Sequence, residues 1–194
     1  MAADTASILG DAALDGAPKG AARFGELVGR RGVPAFVNVW TGTPDVGMLK
    51  EAEAHSMNLT DLSGRQDDPA IRSVLEQSHG SIEALEEACA HYRSGEWIFI
   101  GWLDGDEILA CAGAERLGGG TIGIRSIAVA PTWRNRGLGR TLLDTLAERA
   151  GAKRVVAETD DDAVGFYRRC GFAVEDAPAK FGRARYWCVR ETSN

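Results

Sequence analysis

Apolar positions follow helical spacing between residues 69 and 92 and strand spacing in the segments that follow, up to residue 130. Between residues 69 and 92, apolar and charged side chains interleave with a period close to that of an α-helix, and His79-Gly80-Ser81 interrupts this pattern. A serine at such a position accepts a hydrogen bond from a backbone N–H group of the following turn. We therefore predict two short helices that are separated at residues 79–81.

The N-terminal part of the chain carries weaker signals. The apolar run 33–40 predicts a strand, 45–57 predicts a helix, and 58–69 is typical of a loop. Residues 1–32 are rich in Ala, Gly and Asp and contain few large apolar side chains, so they offer little material for a core. We interpret them as an N-terminal extension of unknown role and assign a single domain to residues 33–194.

Strand spacing dominates the middle of the chain. Two apolar runs, 97–103 and 107–114, flank the tight-turn sequence Asp104-Gly105-Asp106, which predicts a β-hairpin. The glycines at 118–120 predict a second turn that leads into a strand over 121–130. These segments together predict an antiparallel meander.

The third strand of this meander changes phase partway along. Ile122 and Ile124 lie on one face of a regular strand, whereas Ile127 and Val129 have the opposite parity. One extra residue near Arg125-Ser126 restores a single apolar face, so a β-bulge is predicted there. The alternative is a strand that is buried on both faces, for which parity carries no information.

The last third of the chain alternates between helix and strand. The segment 135–150 places leucines on one side of a helix and charged residues on the other, and the apolar run 153–158 follows after a glycine. A strand, a helix and a strand in this order predict a right-handed parallel crossover. A short helix over 161–169 and an antiparallel pair of 172–174 with 183–190 complete the predicted elements.

Composition narrows the range of partners. The chain has 194 residues, of which 44% are apolar, and a formal net charge of -6, whereas a nucleic-acid-binding domain is typically basic. No segment approaches the ~20 apolar residues of a membrane span, and the N-terminus lacks the features of a signal peptide. We therefore expect a cytoplasmic protein that binds neither nucleic acid nor membrane. The four cysteines show no metal-binding or redox spacing, which predicts reduced, buried thiols and no metal site.

A basic, glycine-containing turn joins the third strand to the following helix. The N–H groups of a first helical turn and the helix dipole attract anions, and Arg134, Arg136 and Arg140 add full positive charges. The turn lacks the Gly-Lys-Ser/Thr sequence of a Walker A loop. It also fails the dinucleotide fingerprint, because Leu142 stands where the third glycine belongs.

Two sequence blocks resemble the GNAT superfamily of N-acetyltransferases. Residues 127–139, Ile-Ala-Val-Ala-Pro-Thr-Trp-Arg-Asn-Arg-Gly-Leu-Gly, are similar to that family's acetyl-CoA motif, and 166–172, Phe-Tyr-Arg-Arg-Cys-Gly-Phe, are similar to its second block. The resemblance is specific from about residue 97 to residue 189. It implies an α/β (α+β) fold, in which helices flank a mixed, largely antiparallel central sheet and a β-bulge precedes the R-x-x-G-x-G loop.

The resemblance also implies where acetyl-CoA, the co-substrate, binds. The turn holds the pyrophosphate chiefly through backbone N–H groups, and its glycines leave space for the phosphate to approach. Pantetheine lies beside the bulged strand where this strand separates from its parallel neighbour, and Asp160 stands where the family usually has an asparagine that contacts pantetheine. The cofactor-binding residues implied are Ile127, Ala128, Val129, Arg134, Asn135, Arg136, Gly137, Leu138, Gly139, Arg140 and Asp160.

The implied reaction transfers an acetyl group to a primary amine by direct attack through a tetrahedral intermediate. Tyr167 stands where the family carries a general acid that protonates the CoA thiolate, and its alternative role is aromatic packing. The glutamate that often serves this family as a base is absent, because Gly123 and Arg125 occupy the corresponding strand positions. Glu115, Glu158 and Asp160 are the remaining candidates for a catalytic base. The alternative for Glu115 is a solvated strand end, and the alternative for Asp160 is a cap of the helix that follows.

Two functions stay open at this point. The first is acetylation of a small-molecule or protein amine, and the second is a CoA-binding sensor or pseudoenzyme without turnover. Tyr167 and the complete loop favour the enzyme. No motif identifies the acceptor. His79 is either a packing histidine or part of an acceptor cleft, and a homodimer stays open as an alternative to a monomer.

Overall fold

A computed structural model describes residues 57–180 and 182–192 of the chain. Within these residues, seven strands form one sheet that carries helices on both faces. The strands are β1 (Met57–Asp61), β2 (Trp97–Asp104), β3 (Glu107–Gly118), β4 (Thr121–Val129), β5 (Arg154–Thr159), β6 (Ala173–Lys180) and β7 (Arg183–Glu191). The helices are α1 (Pro69–Leu75), α2 (Ile82–Ser94), α3 (Leu138–Ala150) and α4 (Val164–Arg169), and short 3-10 turns cover Glu76–Ser78 and Pro131–Trp133.

The sheet is mixed and largely antiparallel. Its strand order is β1-β2-β3-β4-β5-β7-β6, and all neighbouring strands are antiparallel except β4 and β5, which are parallel. The chain passes from β4 to β5 through α3, because parallel neighbours need a long connection that returns to the same end of the sheet. The predicted parallel crossover is therefore present, and the architecture confirms the α/β (α+β) fold class.

Each face of the sheet carries its own apolar core. One core joins α3, including Leu142, to the sheet, and the other joins α1 and α2, including Leu85 and Tyr92, to the opposite face. Successive side chains of a strand point to opposite faces, so Cys111 belongs to the α1–α2 core and Ala112 to the α3 core. The sheet thus separates the helix that follows the basic turn from the helices that precede the hairpin.

The helical break and the hairpin are both confirmed. α1 ends at Leu75, and α2 begins after Ser81, whose Oγ accepts a hydrogen bond from Ala84 N at 3.3 Å. α2 stops at Gly95, which adopts a left-handed φ of 72° as a helix C-cap. The predicted hairpin is β2 and β3, and Asp104 pairs with Glu107 across its tight turn.

The interpretation of residues 57–61 is wrong. These residues form β1, which pairs with β2 along its whole length, whereas the sequence predicts the end of a helix and a loop there. The strand is held through backbone pairing and is mostly exposed, so its sequence needs no alternating apolar pattern. The predicted extension 1–32, the predicted strand 33–40 and the rest of the predicted helix 45–57 lie outside the described residues.

Two helices begin later than the sequence predicts. The helix expected from Asn135 begins at Leu138, because Asn135 and Gly137 have left-handed φ angles of 64° and 83°, which a right-handed helix does not accommodate. The helix expected from Asp161 begins at Val164, after a turn. Both differences lie where the chain leaves a strand end.

Candidate functional site

β4 and β5 separate after a short paired segment. Among the described residues, the two strands pair at three positions, which are Thr121 with Arg154, Ile122 with Val155 and Gly123 with Val156. Beyond these positions, β4 continues to Val129 and remains paired with β3, while β5 continues to Thr159. In the part of the chain that the structure describes, the backbone groups of β4 beyond Gly123 are not paired with β5, so a ligand that enters the gap as an extended chain can pair with β4 there.

A register shift in β4 lies at the start of this gap. Gly113 of β3 pairs with Ser126, whereas the next residue, Ala114, pairs with Ile124, so Arg125 is an extra residue on β4. This is the position at which the sequence predicts a β-bulge. An extra residue bends a strand and increases its twist, which explains why the second half of β4 leaves β5.

The turn between β4 and α3 presents backbone N–H groups and positive charge. Asn135 and Gly137 adopt left-handed φ angles immediately before α3 begins at Leu138. Left-handed turns and the first turn of a helix leave N–H groups without a backbone acceptor. Arg136 and Arg140 are exposed beside them. The turn is therefore suited to bind a phosphate or pyrophosphate group.

Glycine is required at positions 137 and 139 for two different structural reasons. A Cβ atom at Gly137 would contact nothing within 4 Å, but the φ of 83° disfavours any other residue. Gly139 is buried, and a Cβ atom there would lie 3.1 Å from the Phe166 ring of α4. Close packing of α3 against α4 therefore accounts for the glycine at 139, in addition to the phosphate approach inferred from the sequence.

Arg134 is bonded within the protein. Its Nε donates to Val129 O at 3.1 Å, and its Nη2 donates to Gln77 Oε1 at 2.5 Å. These bonds connect the end of β4 to the 3-10 turn that follows α1. The guanidinium of Arg136 lies 4.7 Å from the centre of the Trp133 ring. Arg134 is one of the three arginines that add positive charge to the turn. Its bond to Gln77 also joins the basic turn to the α1–α2 connection.

Tyr167 is a buried tyrosine whose hydroxyl keeps its proton. It is fully buried between Phe166 and Phe172, whose rings lie 5.2 Å away in edge-on geometry. Its hydroxyl has no hydrogen-bond partner among the described residues. Burial raises the pKa of Tyr167 well above its usual value, so the phenol keeps its proton. A buried hydroxyl without a partner costs about 1–3 kcal/mol, and a ligand atom within reach removes this cost.

Glu115 forms a buried ion pair with Arg125, the extra residue of β4. Both side chains are 8% exposed, so water has little access to the pair. The Arg125 guanidinium also lies 5.3 Å from the centre of the Trp97 ring. Removing a charge from such a pair leaves the partner buried and uncompensated. The geometry gives Glu115 a structural role and argues against its predicted role as a general base.

Glu158 and Asp160 belong to a second cluster of charges. Glu158 accepts hydrogen bonds from Lys180 Nζ at 2.7 Å and from Arg185 Nε at 3.1 Å. Asp160 Oδ1 accepts from Asp162 N at 3.2 Å, and its Oδ2 lies 3.6 Å from Nη1 of Arg185. Asp160 thus shapes the turn before α4. Glu158, like Glu115, is bound by cations, which argues against it as a base.

Sequence reasoning missed a chain of polar side chains at the register shift. His79 Nε2 lies 3.0 Å from Ser126 Oγ, which lies 2.6 Å from Tyr92 Oη. Gly113, opposite Ser126, provides the space, because a Cβ atom there would lie 2.0 Å from the Tyr92 hydroxyl. The phase change of β4 draws attention to Ser126. Nothing in the local sequence connects it with Tyr92 or His79.

The cysteines, the potential metal ligands and the helices of the described residues indicate no second functional site. The cysteines are free and buried, as expected, and they are Cys89, Cys111, Cys170 and Cys188. Within residues 57–180 and 182–192, no three histidine, cysteine or acidic side chains form a group that could hold a metal ion. In the same part of the chain, no helix has the length and apolar character needed to cross a bilayer.

The fold and the two sequence blocks define an acetyltransferase of GNAT type. The sequence model of the Acetyltransferase (GNAT) family matches residues 65–172, a range that runs from before α1 to the end of the second block. The chain belongs to this family. A search of curated protein sequences finds no significant match.

Solved structures share the fold over about 70% of the chain. The ribosomal-protein-S18-alanine N-acetyltransferase from Escherichia coli has a TM-score of 0.57, with 19% identity over 71% of this chain and 95% of its own. A GNAT family acetyltransferase from Elizabethkingia anophelis with bound acetyl-CoA gives 0.54, with 18% identity over 70% and 98%. The IAA acetyltransferase from Bacillus cereus gives 0.55, with 18% identity over 71% and 100%. At these identities, the similarity shows the fold alone.

Proposed function

We propose that this protein is an N-acetyltransferase that transfers the acetyl group of acetyl-CoA to a primary amine of a small molecule or a protein. The observation that carries the proposal is the separation of β4 from β5 next to an anion-binding turn. Acetyl-CoA matches both features, because its pyrophosphate is anionic and its pantetheine arm is an extended chain with amide groups. The acetyl-CoA bound to the Elizabethkingia anophelis relative supports this choice of ligand.

The residues around the gap fit this ligand in three places. The turn offers N–H groups and exposed arginines to the pyrophosphate, and the unpaired edge of β4 offers backbone groups to the pantetheine amides. The partnerless hydroxyl of Tyr167 offers a proton to the sulfur. The residues proposed to bind the co-substrate are Ile127, Ala128, Val129, Arg134, Asn135, Arg136, Gly137, Leu138, Gly139, Arg140 and Asp160.

The proposed transfer forms one C–N bond and breaks one C–S bond. The neutral amine attacks the thioester carbon, and collapse of the tetrahedral intermediate releases the CoA thiolate, which takes the phenol proton of Tyr167. The amine must also lose a proton. Since Glu115 and Glu158 are bound in ion pairs, we propose that this proton passes to water and that Tyr167 is reprotonated from solvent.

The proposal is tested by incubating the full chain with acetyl-CoA and a panel of primary amines. Release of free CoA thiol together with an acetylated amine, identified by its mass, is the expected result. Incubation without amine measures background hydrolysis of the thioester. Acetyl-CoA binding in calorimetry, with no amine-dependent thiol release across small amines and peptides, would instead support the sensor without turnover.

Replacing Gly137 by valine is expected to raise the KM for acetyl-CoA by about tenfold or more. Valine at a φ of 83° costs about 1–2 kcal/mol and shifts the N–H groups that face the pyrophosphate. Steady-state kinetics measures the KM. Gly105, in the β2–β3 turn, is the matched control, because it also has a positive φ of 57° and open space around its Cβ position. Gly105→Val should lose similar stability with an unchanged KM, and an unchanged KM in Gly137→Val would contradict the placement of the pyrophosphate.

A further inference from the structure

The chain His79–Ser126–Tyr92 has no part in the chemistry proposed above. Its members come from three places, the α1–α2 connection, β4 and α2, and they are separated by 47 and 34 positions in sequence. Ser126 and Tyr92 are fully buried, whereas His79 is partly exposed. The imidazole of His79 is therefore the one part of this chain that a ligand can contact.

The hydrogens of this chain have a preferred direction. Burial raises the pKa of Tyr92, so its phenol keeps its hydrogen, and Ser126 Oγ is the acceptor that the described residues give it. Ser126 then donates its own hydrogen to His79 Nε2. The opposite direction would leave the phenol hydrogen buried without an acceptor among these residues, which is unfavourable.

This direction fixes the tautomer of His79. An imidazole that accepts at Nε2 carries its hydrogen on Nδ1. No side chain or backbone group among the described residues bonds to Nδ1. Burial lowers the pKa of His79 to about 4, so the ring is neutral at physiological pH. His79 is therefore a neutral ring whose Nδ1–H has no acceptor among the described residues.

His79 lies beside the part of β4 that borders the proposed acetyl-CoA gap. Its partner Ser126 directly follows Arg125, the extra residue at which β4 begins to leave β5. Gln77, two residues before His79, accepts a hydrogen bond from Arg134 of the basic turn. The α1–α2 connection therefore contacts the second half of β4 through His79 and the basic turn through Gln77, and the tyrosine end of the polar chain lies in the core on the sheet face opposite α3.

We propose that His79 determines acceptor specificity by donating its Nδ1–H to an uncharged oxygen atom, a carbonyl, that lies next to the amine being acetylated. An ammonium or guanidinium group offers no acceptor for this hydrogen, whereas the carbonyl of an amino-acid amide or a peptide does. A site built to hydrogen-bond one substrate group discriminates against analogues that lack it. The substrate contact rests on the proposed acetyltransferase function. The tautomer of His79 follows from the hydrogen bonds alone and does not depend on that function.

The tautomer is tested first, without any activity measurement. Nitrogen-15 NMR of the full chain at neutral pH should show His79 with a protonated, pyrrole-like Nδ1 and a pyridine-like Nε2. Ser126→Ala and Tyr92→Phe, which each remove one hydroxyl from the chain, should shift His79 towards the other tautomer. A wild-type His79 that is protonated on Nε2, or is an imidazolium, overturns the proposal.

The substrate contact is tested with two amines of matched shape, alaninamide and the amine in which an isopropyl group replaces the carboxamide. Values of kcat/KM are corrected for the fraction of neutral amine, because the two amines differ in pKa. His79→Phe should lower kcat/KM for alaninamide by about tenfold, equivalent to about 1.4 kcal/mol, and change the value for its analogue by less than about twofold. His79→Gln, which retains a donor, should restore part of the preference.

His91→Phe is the matched control, since His91 is also partly exposed but stacks on Trp97 and bonds to Glu96. It should leave the preference for alaninamide unchanged. Equal losses for both amines in His79→Phe, or no loss, overturn the specificity role. If no amine is acetylated while NMR finds the Nδ1–H tautomer, the proposed function fails and the donor assignment stands.

Discussion

Replacing Tyr167 by phenylalanine is expected to lower kcat for acetyl transfer by about two to four orders of magnitude, the usual contribution of a general acid. The KM for acetyl-CoA should change little, because the ring still packs between Phe166 and Phe172. The free energy of unfolding should stay constant or rise, since the substitution removes a hydroxyl that has no partner among the described residues. Single-turnover kinetics and urea denaturation measure the two effects separately.

Tyr186→Phe is the control for this experiment. The Tyr186 hydroxyl donates to Asp161 Oδ1 at 2.5 Å and has no assigned part in the transfer, so kcat should stay within about twofold of wild type. Because burial raises the pKa of Tyr167, its proton is retained through neutral and mildly alkaline pH, and wild-type kcat should show no decline from this group below about pH 10. A Tyr167→Phe enzyme with full kcat across this range would remove the tyrosine from the mechanism.

Arg125→Met is expected to lower the free energy of unfolding by about 3–5 kcal/mol, the largest stability loss that we predict. The substitution leaves the buried carboxylate of Glu115 without its guanidinium partner. Urea denaturation at neutral pH measures the loss. The double variant Arg125→Met with Glu115→Gln should be more stable than the single one, because no uncompensated charge remains.

The exposed pair of Arg93 and Asp67 provides the matched control. Both side chains are 54% exposed, and water stabilises the aspartate when the arginine is removed, so Arg93→Met should lower the free energy of unfolding far less than Arg125→Met does. If Arg125→Met costs no more than this control, the Glu115–Arg125 pair is accessible to water, and Glu115 returns as a candidate base.

Elements whose signals are local could be predicted from the sequence. The hairpin of β2 and β3 follows from strand spacing and a tight-turn sequence, and the start of α2 follows from Ser81 as a cap. The position of the register shift follows from a parity change within one strand. β1 could not be predicted, because it is held by backbone pairing with β2 rather than by a pattern of its own apolar side chains.

The residues of the candidate site also fall into a group that local sequence reveals and a group that depends on contacts between distant segments. The basic turn and Tyr167 are recognisable because their residues stand in two short blocks. The ion pairs of Glu115 and Glu158 could not be predicted, because their cationic partners come from other strands. Gly139 illustrates the same limit, since its contact with Phe166 lies across two helices.

The sequence by itself determined the family, the order of helices and strands from α1 onwards and the position of the basic turn, because each depends on residues that are close together in the chain. Only the tertiary structure decided which charged groups are paired and which polar atoms lack a partner. It bound both glutamates to cations, buried the hydroxyl of Tyr167 without a partner among the described residues and brought His79 to Ser126 across 47 positions. Charge and hydrogen bonding depend on distances in space, which local spacing does not specify.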